Sequence, residues 1–393
     1  MTKPMRALYL CYFGLREPLV QTQVLPYLRE LAAGGYGMWL LTFEPEMKQR
    51  WNANSIDDWR RHLHDDGIEW HMLPYHRRPS IPAKAYDILA GAWRAASIAR
   101  REKIALFHGR SHAATAMGAI AKWLTGGKLI FDIRGFLAEE YVDSGNWRGG
   151  GLLYRLTKAA ERWLYRASDG FVVLTERARE SLALDGPVEV IPTCVDRTRF
   201  IPSQKNDRLV FVYAGALGGY YLIEEMAGLL DEARKRDPRT YALVLTQSEP
   251  SAMIDALDRR GFTSGDYRVM QAAPDEIPKY LSEADVGLLL VRPSYARRSM
   301  SPTKFAEYLA AGLPVIATAG IGDLDTQIAE GRTGALLRSL DREAYREALR
   351  EIDELRRDPE LAARCRTEAA ARFDLHDVGG ARYRRLYDAV LHA

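Results

Sequence analysis

Short apolar segments alternate with longer amphipathic segments along the whole chain, and this alternation is the strongest constraint on its fold. The apolar segments are residues 7–13, 38–43, 104–108, 129–133, 171–174 and 188–191, followed by 209–214, 241–246, 267–271, 286–291 and 314–318. Most are continuous runs, as is typical of strands covered on both faces of a parallel sheet. The segments between them, among them 24–33, 152–167 and 223–236, have the apolar spacing of helices. The alternation predicts an α/β fold with right-handed strand–helix–strand connections.

The pattern restarts at Leu209, directly after a polar segment without periodicity, residues 193–207. A chain of 393 residues has room for two or three domains, and this polar segment is a suitable linker between two of them. We predict two doubly wound, Rossmann-like domains, residues 1–195 and 206–375, that face each other across a cleft. A C-terminal helix, residues 376–393, is expected to fold back on the first domain.

Composition narrows the class of protein. With 47% hydrophobic and 27% charged residues the chain is globular, and a net charge of +3 gives no indication of nucleic-acid binding. The charge is uneven, because residues 1–190 carry 26 basic and 21 acidic side chains (net +5) and residues 191–393 carry 29 and 31 (net −2). The three cysteines lack metal-binding spacing, and the longest uncharged stretch, 209–223, is too short to span a bilayer. The apolar run 7–15 is interpreted as a first strand rather than a signal peptide, so we expect a cytoplasmic protein.

The segment 301–318 (SPTKFAEYLAAGLPVIAT) has the clearest chemical content. Ser301 is a suitable N-cap and Pro302 a suitable first helical residue, and Gly312 is suited to end the helix. A helix N-terminus attracts anions, and Lys304 adds a full positive charge in the first turn. Glu307 lies one turn beyond Thr303 on the same face. The pattern predicts either a nucleotide site, with a diphosphate at the helix end and ribose hydroxyls on Glu307, or simply a well-capped surface helix.

This segment resembles the donor-binding motif of family-4 retaining glycosyltransferases of the GT-B fold, in its S-P-T-K-x-x-E-Y-L-A variant. Other segments agree in order and spacing: residues 21–31 (QTQVLPYLREL) with the family's first helix, 131–136 (FDIRGF) with the turn that follows a strand, 190–200 (VIPTCVDRTRF) with the linker signature, and 331–336 (GRTGAL) with the closing motif. The resemblance implies transfer of a sugar from a nucleotide diphosphate sugar with retained anomeric configuration. It implies no metal ion and no other cofactor. The first domain would then bind the acceptor and the second the donor.

The sequence departs from the family pattern in two places. The family's first motif Glu is replaced by Ser299, and the glycine turn after the first strand of the second domain, which includes Gly215, Gly218 and Gly219, lacks the family's Arg and Lys. We therefore expect Arg297 and Arg298 to replace those cations beside Lys304, with Thr303, Ser301 and the three glycines also near the donor. Gly14, after the first strand, would face the donor from the other domain. A tight strand–helix turn is the alternative for the glycines.

In the first domain Asp132 and Arg134 follow a strand, where open α/β sheets bind ligands. Arg134 takes the place of the family's sugar-binding His, so we assign Arg134, Asp132 and Ser299 as the catalytic candidates; the alternative for the first two is a buried ion pair that fixes the turn. The acceptor candidates are Gln21, Gln23, His112, Glu139 and Glu140, each of which equally suits a capping or solvated position. A metal site at His108 and His112 lacks a third ligand.

Residues 147–167 place Arg148, Arg155, Lys158, Arg162 and Arg166 beside leucines and Trp163. The favoured interpretation is a helix that turns its apolar face to the core and its basic face outward. The alternative is a helix resting on the cytoplasmic face of a membrane while the enzyme acts on a lipid-linked acceptor. For the whole chain the expected function is glycosyl transfer to a glycan, lipid-linked or small-molecule acceptor. The alternatives are a nucleotide-sugar epimerase and a non-catalytic subunit that binds a nucleotide sugar.

Overall fold

A computed structural model describes residues 5–200 and 207–392 of the chain. Its described residues form two compact units, one that runs to Ile191 and resumes at Gly379, and one from Pro192 to Val378. Residues 193–200 of the predicted linker belong to the second unit, where Val195 pairs with Asp374. Residues 201–206 of that linker, including the predicted start of the second domain at 206, lie outside the described residues.

The first unit is built on a parallel sheet of seven strands in the order β3-β2-β1-β4-β5-β6-β7. The strands are β1 (Arg6–Cys11), β2 (Gly37–Glu44), β3 (Ile68–Pro74), β4 (Leu106–Arg110), β5 (Lys128–Asp132), β6 (Gly170–Val173) and β7 (Val188–Val190). The helices are α1 (Pro18–Gln23), α2 (Leu25–Ala33), α3 (Met47–Arg50), α4 (Ala53–Asp65), α5 (Ser80–Glu102), α6 (Ser111–Thr125), α7 (Leu137–Asp143), α8 (Leu152–Ala167) and α9 (Glu176–Ser181). The C-terminal helix of the chain, described below as α17, also belongs to this unit.

The second unit repeats the plan with six parallel strands in the order β10-β9-β8-β11-β12-β13. The strands are β8 (Leu209–Ala214), β9 (Thr240–Leu245), β10 (Tyr267–Met270), β11 (Val286–Leu289), β12 (Val315–Thr318) and β13 (Gly334–Leu337). The helices are α10 (Ile223–Arg236), α11 (Ser251–Asp258), α12 (Ile277–Ser282), α13 (Thr303–Ala310), α14 (Leu324–Gly331), α15 (Arg342–Arg356) and α16 (Leu361–Phe373), and α17 (Ala381–His392) follows in the first unit. Short 3-10 helices occupy Arg197–Arg199 and Ala296–Ser299, and a π-helical turn covers Leu375–Gly380.

The predicted fold of two Rossmann-like α/β sheets is confirmed. Each sheet buries continuous apolar strands on both faces, as in β8, where all six residues are buried. Two strands were not predicted. The strand β3 is an edge strand in which only Ile68 and Trp70 are buried and which ends on Pro74. The strand β13 is a four-residue edge strand that begins at Gly334.

The order of strands creates one switch point in each sheet, where neighbouring connections leave in opposite directions. In the first unit it lies between β1 and β4, and in the second between β8 and β11. Ligands of open α/β sheets bind beyond the carboxyl ends of the strands at such points. The loops after β1, β4 and β8 are therefore the places where a site is expected in each unit.

The favoured prediction for α8 is correct for its basic face, since Arg155, Arg162 and Arg166 are exposed, but wrong for its apolar face. The helix buries Glu161 and Leu164, whereas Leu152 and Leu156 are 73% and 57% exposed. The cause is a polar network on the inner side of the helix, where Lys158 pairs with Glu161 at 2.6 Å. Because these charged groups occupy the inward positions, the leucines are turned outward.

Candidate functional site

In the second unit the candidate donor site centres on Lys304, in the first turn of α13. Its side chain is buried, 6% exposed, and its Nζ has no hydrogen-bond partner. The ammonium lies against two tyrosine rings instead, 4.2 Å from the centroid of Tyr213 and 3.9 Å from that of Tyr221. A buried cation without a hydrogen-bond acceptor is rare, and aromatic rings replace only part of the hydration it has lost.

The glycine turn after β8 lies directly beside this ammonium. Gly215 has φ of +143°, and a Cβ at this position would come within 2.7 Å of Lys304 Nζ. Gly218 and Gly219 also have positive φ, at +86° and +66°. Only glycine allows this backbone to pass so close to the lysine. The structure thus brings together Lys304 and Gly215, which sequence analysis assigned to the donor from two separate motifs.

Burial governs the ionisation of both charged residues of this helix. It lowers the pKa of Lys304 to about 7, against a smaller opposing effect of the Glu307 carboxylate. Burial also raises the pKa of Glu307, and Arg199 and Lys304 only partly oppose it. Burial therefore disfavours the charged form of this lysine, and an incoming anion would favour it.

The two arginines expected to assist Lys304 lie on the 3-10 helix Ala296–Ser299, just before α13. The Arg297 guanidinium is buried and stacks on Tyr220, 3.9 Å from its ring centroid. The Arg298 guanidinium is half-buried and lies 5.5 Å from the centroid of Tyr295. Ser299 is also buried, and its hydroxyl donates to the Ala296 carbonyl at 2.8 Å.

The predicted start of this helix is wrong by one residue. Ser301 is not the N-cap, because Pro302 is extended (φ −70°, ψ 120°) and α13 begins at Thr303. The Ser301 hydroxyl instead accepts the Thr193 N–H at 3.0 Å, and its carbonyl accepts the Thr193 hydroxyl at 2.9 Å. The N-cap residue is Pro302, whose side chain has no oxygen to cap α13. The helix end agrees with expectation, since Gly312 follows the C-cap with φ of +82°.

In the first unit the candidate site centres on Asp132, which is fully buried at the end of β5. Arg134 Nη1 donates to its Oδ1 at 3.4 Å, and Arg110 Nη1 lies 3.7 Å from its Oδ2. Burial by itself would raise the pKa of Asp132, but Arg134, His108 and Arg110 outweigh it and hold the pKa well below its usual range. Burial disfavours the charge of Arg134, yet Asp132 raises the pKa of its guanidinium. The group is therefore a fully ionised cluster with two cations on one carboxylate.

Gln23, at the end of α1, joins the two arginines of this cluster. Its Oε1 accepts from Arg110 Nη2 at 3.0 Å and from Arg134 Nη2 at 3.3 Å. Sequence analysis singled out Gln23 but not Arg110, which lies at the C-terminal end of β4 beside β5. The position of Arg110 at the end of an apolar strand was the available signal.

The C-terminal helix α17 contributes two tyrosines that sequence analysis did not identify. The Tyr383 hydroxyl lies 3.5 Å from Asp132 Oδ2, and the Tyr387 hydroxyl is 2.9 Å from His108 Nδ1. Burial lowers the pKa of His108, against the opposing effect of Asp132. Among the described residues no group of three or more His, Cys, Asp or Glu side chains is arranged to hold a metal ion, and His108 faces Asp132 rather than His112.

Two further candidates, Gln21 and Gly14, take part in the loop after β1. Gln21 Nε2 donates to the Leu15 carbonyl at 2.6 Å. A Cβ on Gly14 would lie 2.8 Å from Pro45 and 2.9 Å from the Glu44 carboxylate. That buried carboxylate also accepts the Leu15 N–H at 2.9 Å. Gly14 is therefore required for the close packing of this loop on the end of β2.

His112 and Glu139 belong to a polar network beneath α8. Glu161 Oε1 lies 3.3 Å from His112 Nε2, and Lys158 Nζ lies 3.2 Å from Glu139 Oε1. The Tyr154 hydroxyl donates to the same Glu139 oxygen at 3.1 Å. The Glu140 carboxylate, one residue along α7, lies against Gly135, at the turn that carries Arg134.

Each unit is similar to a known family of domains. Residues 20–194 match the family model described as a glycosyl transferase 4-like domain, and residues 208–354 match the model described as glycosyl transferases group 1. A D-inositol 3-phosphate glycosyltransferase of Streptomyces avermitilis is 29% identical over 239 residues, which is 55% of this chain and 48% of that protein. The match thus spans about half the length of this curated relative.

Solved structures agree on the fold. A glycosyltransferase from Rickettsia africae superposes with a TM-score of 0.72 at 14% identity, over 100% of this chain and 99% of that one. A sucrose-phosphate synthase from Thermosynechococcus elongatus has a TM-score of 0.72 at 16% identity, over 98% and 100%. Anabaena HepE, solved in complex with UDP-glucose, has a TM-score of 0.66 at 13% identity, over 98% and 100%.

Two Rossmann-like units of this strand order, with the candidate residues at the carboxyl ends of their strands, define the class of GT-B glycosyltransferase folds. The first unit is similar to glycosyl transferase 4-like domains, and the second unit is similar to the glycosyl transferases group 1. In the described part of the chain, none of the helices combines the length and the apolar character needed to cross a bilayer.

Proposed function

We propose that this protein is a retaining glycosyltransferase that uses a nucleotide diphosphate sugar as donor and a hydroxyl of a glycan, lipid-linked or small-molecule acceptor. The observation that carries the proposal is Lys304: a buried ammonium without a hydrogen-bond acceptor, at the N-terminus of a helix and against the Gly215 turn. An anion with several oxygens would supply the hydrogen-bond acceptor that this ammonium lacks. The HepE structure, which holds UDP-glucose, supports a nucleotide sugar as the ligand of this fold.

The diphosphate would be held by this chain's own cations and amides. Lys304 would contact one phosphate, and the N-terminal end of α13, with its partial positive charge, would face the other. Arg298, half-buried just before the helix, would add a second cation. The leaving diphosphate gains charge as its bond to the sugar breaks, so fixed positive groups stabilise the transition state more than the ground state. Such a site operates without a metal ion.

In the transfer, the bond between the anomeric carbon and the diphosphate oxygen breaks, and a bond from that carbon to the acceptor oxygen forms. The leaving diphosphate oxygen keeps the electron pair of the broken bond and takes up the proton of the acceptor hydroxyl. In the first unit, Arg134 and Asp132 offer a guanidinium fixed by a carboxylate, which suits the binding of sugar hydroxyls. Gln23 keeps both arginines in place from the opposite side.

Turnover with a panel of UDP-, GDP-, dTDP- and ADP-sugars tests the proposal. We expect release of the matching nucleoside diphosphate, accelerated by an acceptor extract, and a product with the donor's anomeric configuration by NMR. Interconversion of sugars on an intact donor would instead establish an epimerase. Donor binding without turnover in any acceptor extract would establish a non-catalytic subunit.

Substitution of Glu307 tests the assignment of the ribose. We expect Glu307→Ala to weaken binding of the preferred nucleoside diphosphate about 10- to 100-fold, because two hydrogen bonds to a carboxylate are lost. Glu307→Gln should retain part of the affinity, since its amide still accepts one bond. The matched control is Glu347→Ala on the exposed side of α15. Unchanged affinity of Glu307→Ala by calorimetry would refute the ribose assignment.

A further inference from the structure

Large apolar side chains cover the solvent side of one helical layer of the first unit. Among the described residues twelve large hydrophobic side chains are exposed, and nine of them lie on α5, α6 and α8. We name these nine the outer apolar face: Ile81, Tyr86, Leu89, Trp93, Trp123, Leu152, Leu153, Leu156 and Trp163. Soluble surfaces rarely concentrate apolar side chains in this way.

The three helices form one continuous layer. They connect β3 to β4, β4 to β5 and β5 to β6, which are successive steps in one direction across the sheet. Right-handed connections in the same direction place helices on the same side of a sheet, and α6 packs against both α5 and α8. The outer apolar face therefore lies on one side of the unit.

The helices α5 and α8 bury small or charged residues and expose large apolar ones, the reverse of an ordinary amphipathic helix. The buried side of α5 consists mainly of alanines and a glycine, and Gly91 is so close to α6 that a Cβ would lie 2.6 Å from Met117 Sδ. Its largest side chains point outward, with Trp93 70% exposed. In α8 a carboxylate, Glu161, is buried while Leu152 is 73% exposed. Water alone would favour the opposite arrangement of both helices.

The exposed charged side chains of these three helices are all basic. The exposed basic residues of the three helices are Lys84, Arg100, Arg101, Arg155, Arg162 and Arg166. The helices carry three acidic residues; Asp87 and Glu161 are buried, and Glu102 is bonded to Arg101 at 2.7 Å. Apolar side chains with tryptophans, bordered by arginines, match the interface of an anionic bilayer, where rings lie among the headgroups and cations meet phosphates.

We propose that the outer apolar face docks the protein on the surface of an anionic phospholipid bilayer. The helices α5 and α8 lie along the membrane plane, with their leucines and tryptophans among the acyl chains and the arginines on lipid phosphates. A second copy of this chain is a poorer partner, because a two-fold contact sets identical patches against each other and would bring like-charged arginines together. The proposal is independent of glycosyl transfer and stands whether or not the nucleotide-sugar assignment holds.

Vesicle co-sedimentation of the full chain tests this surface. We expect binding to vesicles of phosphatidylcholine with about one third phosphatidylglycerol to exceed binding to phosphatidylcholine alone by roughly tenfold or more. The triple variant Leu152→Ser/Leu156→Ser/Trp163→Ser should lose roughly nine tenths of that binding. The triple variant Arg155→Gln/Arg162→Gln/Arg166→Gln should lose the preference for anionic vesicles.

The control is Leu340→Ser, which removes an exposed leucine of the second unit and should bind vesicles like the wild type. Thermal unfolding of all variants should match the wild type, because the substituted side chains are exposed. Equal binding to both vesicle types, or full binding by the Leu/Trp variant, would overturn the proposal. Self-association of the wild type without lipid, abolished by the same variant in sedimentation velocity, would also overturn it and assign the face to contacts between copies.

Discussion

Lys304→Met should abolish most donor binding while it makes the protein more stable. We expect affinity for the preferred nucleoside diphosphate to fall about 10- to 100-fold, because a charge-assisted bond to phosphate is lost. Methionine fills a similar volume and carries no charge, so the rings of Tyr213 and Tyr221 that face the ammonium can pack against it. Calorimetric titration measures the affinity, with Lys279→Met on the exposed side of α12 as the control.

The pH dependence of this binding follows from the pKa of Lys304, which burial lowers to about 7. In the free protein the ammonium loses its proton as the pH rises through this value, while a bound diphosphate favours the charged form. Wild-type affinity should therefore decline between pH 7 and pH 9, and the Lys304→Met variant should show no such decline. An identical pH profile for both proteins would place the diphosphate away from Lys304.

Folding stability depends on pH in the opposite direction to donor binding. Because the pKa of Lys304 in the folded protein lies below that of an unfolded chain, about 10.4, the unfolded state binds more protons between pH 7 and pH 10. Wild-type stability from this residue thus increases with pH across that window. Lys304→Met removes a penalty of several kcal/mol, at about 1.4 kcal/mol for each pKa unit, so Tm should rise by roughly 5–10 °C at pH 6. The gain should shrink toward pH 9.5.

Asp132→Asn should destabilise the first unit strongly. Asp132 is the only carboxylate in ion-pair contact with both Arg110 and Arg134 among the described residues, and its loss leaves two buried guanidiniums facing each other. Removing one partner of a buried ion pair costs about 3–5 kcal/mol, which corresponds to a fall in Tm of roughly 10 °C. The control is Asp57→Asn, an exposed residue of α4, which should change Tm by less than about 1 °C.

The contribution of Asp132 is confined to a defined pH range. Its pKa is held well below the usual value in the folded protein, so the stabilisation is present above the unfolded pKa of about 3.9 and is lost as the pH falls further. The difference in Tm between wild type and Asp132→Asn should be constant from pH 7 to pH 5 and should narrow below about pH 4. A difference that narrows already near pH 6 would assign the effect to His108.

A double variant separates a structural role of this cluster from a catalytic one. Asp132→Asn/Arg134→Leu removes both the carboxylate and one guanidinium, so part of the stability lost in Asp132→Asn should return. If Arg134 contacts a sugar, turnover should stay low in the double variant and in Arg134→Leu. Recovery of turnover along with stability would show that the pair only fixes the turn after β5.

The sequence was sufficient for much of the fold because buried parallel strands leave a recognisable pattern. The continuous apolar run Leu209–Ala214 coincides with an observed strand at both ends. The predicted helix Ile223–Arg236 likewise has the bounds of the observed helix. The strand Ile68–Pro74 was missed because an edge strand is covered less and keeps polar residues such as Glu69 and His71. Its alternation over few residues carries a weak signal.

The candidate site residues also differ in whether local sequence could reveal them. Local sequence singled out Lys304 and Glu307 on a predicted helix and Asp132 and Arg134 after a predicted strand, and their roles in a site stay predictions. It did not reveal that Tyr383 reaches Asp132 across 251 positions of sequence, because a hydroxyl on a distant helix leaves no local pattern. The start of α13 was also predicted at the wrong residue. Ser301 is a suitable N-cap by residue type, but in the structure its hydroxyl accepts the Thr193 N–H instead.

The sequence by itself determined the two α/β units, their spacing along the chain and the residue types at the strand ends, because burial on both faces of a sheet and helix periodicity act over short segments. Only the tertiary structure decided which groups are desolvated together and which face of a helix meets the core. Periodicity places the leucines of α8 on one stripe but does not state which way the stripe faces. The inward position of Glu161 and Lys158 settled that direction, and the burial of Lys304 against Gly215 converted an ordinary lysine into an unsatisfied cation.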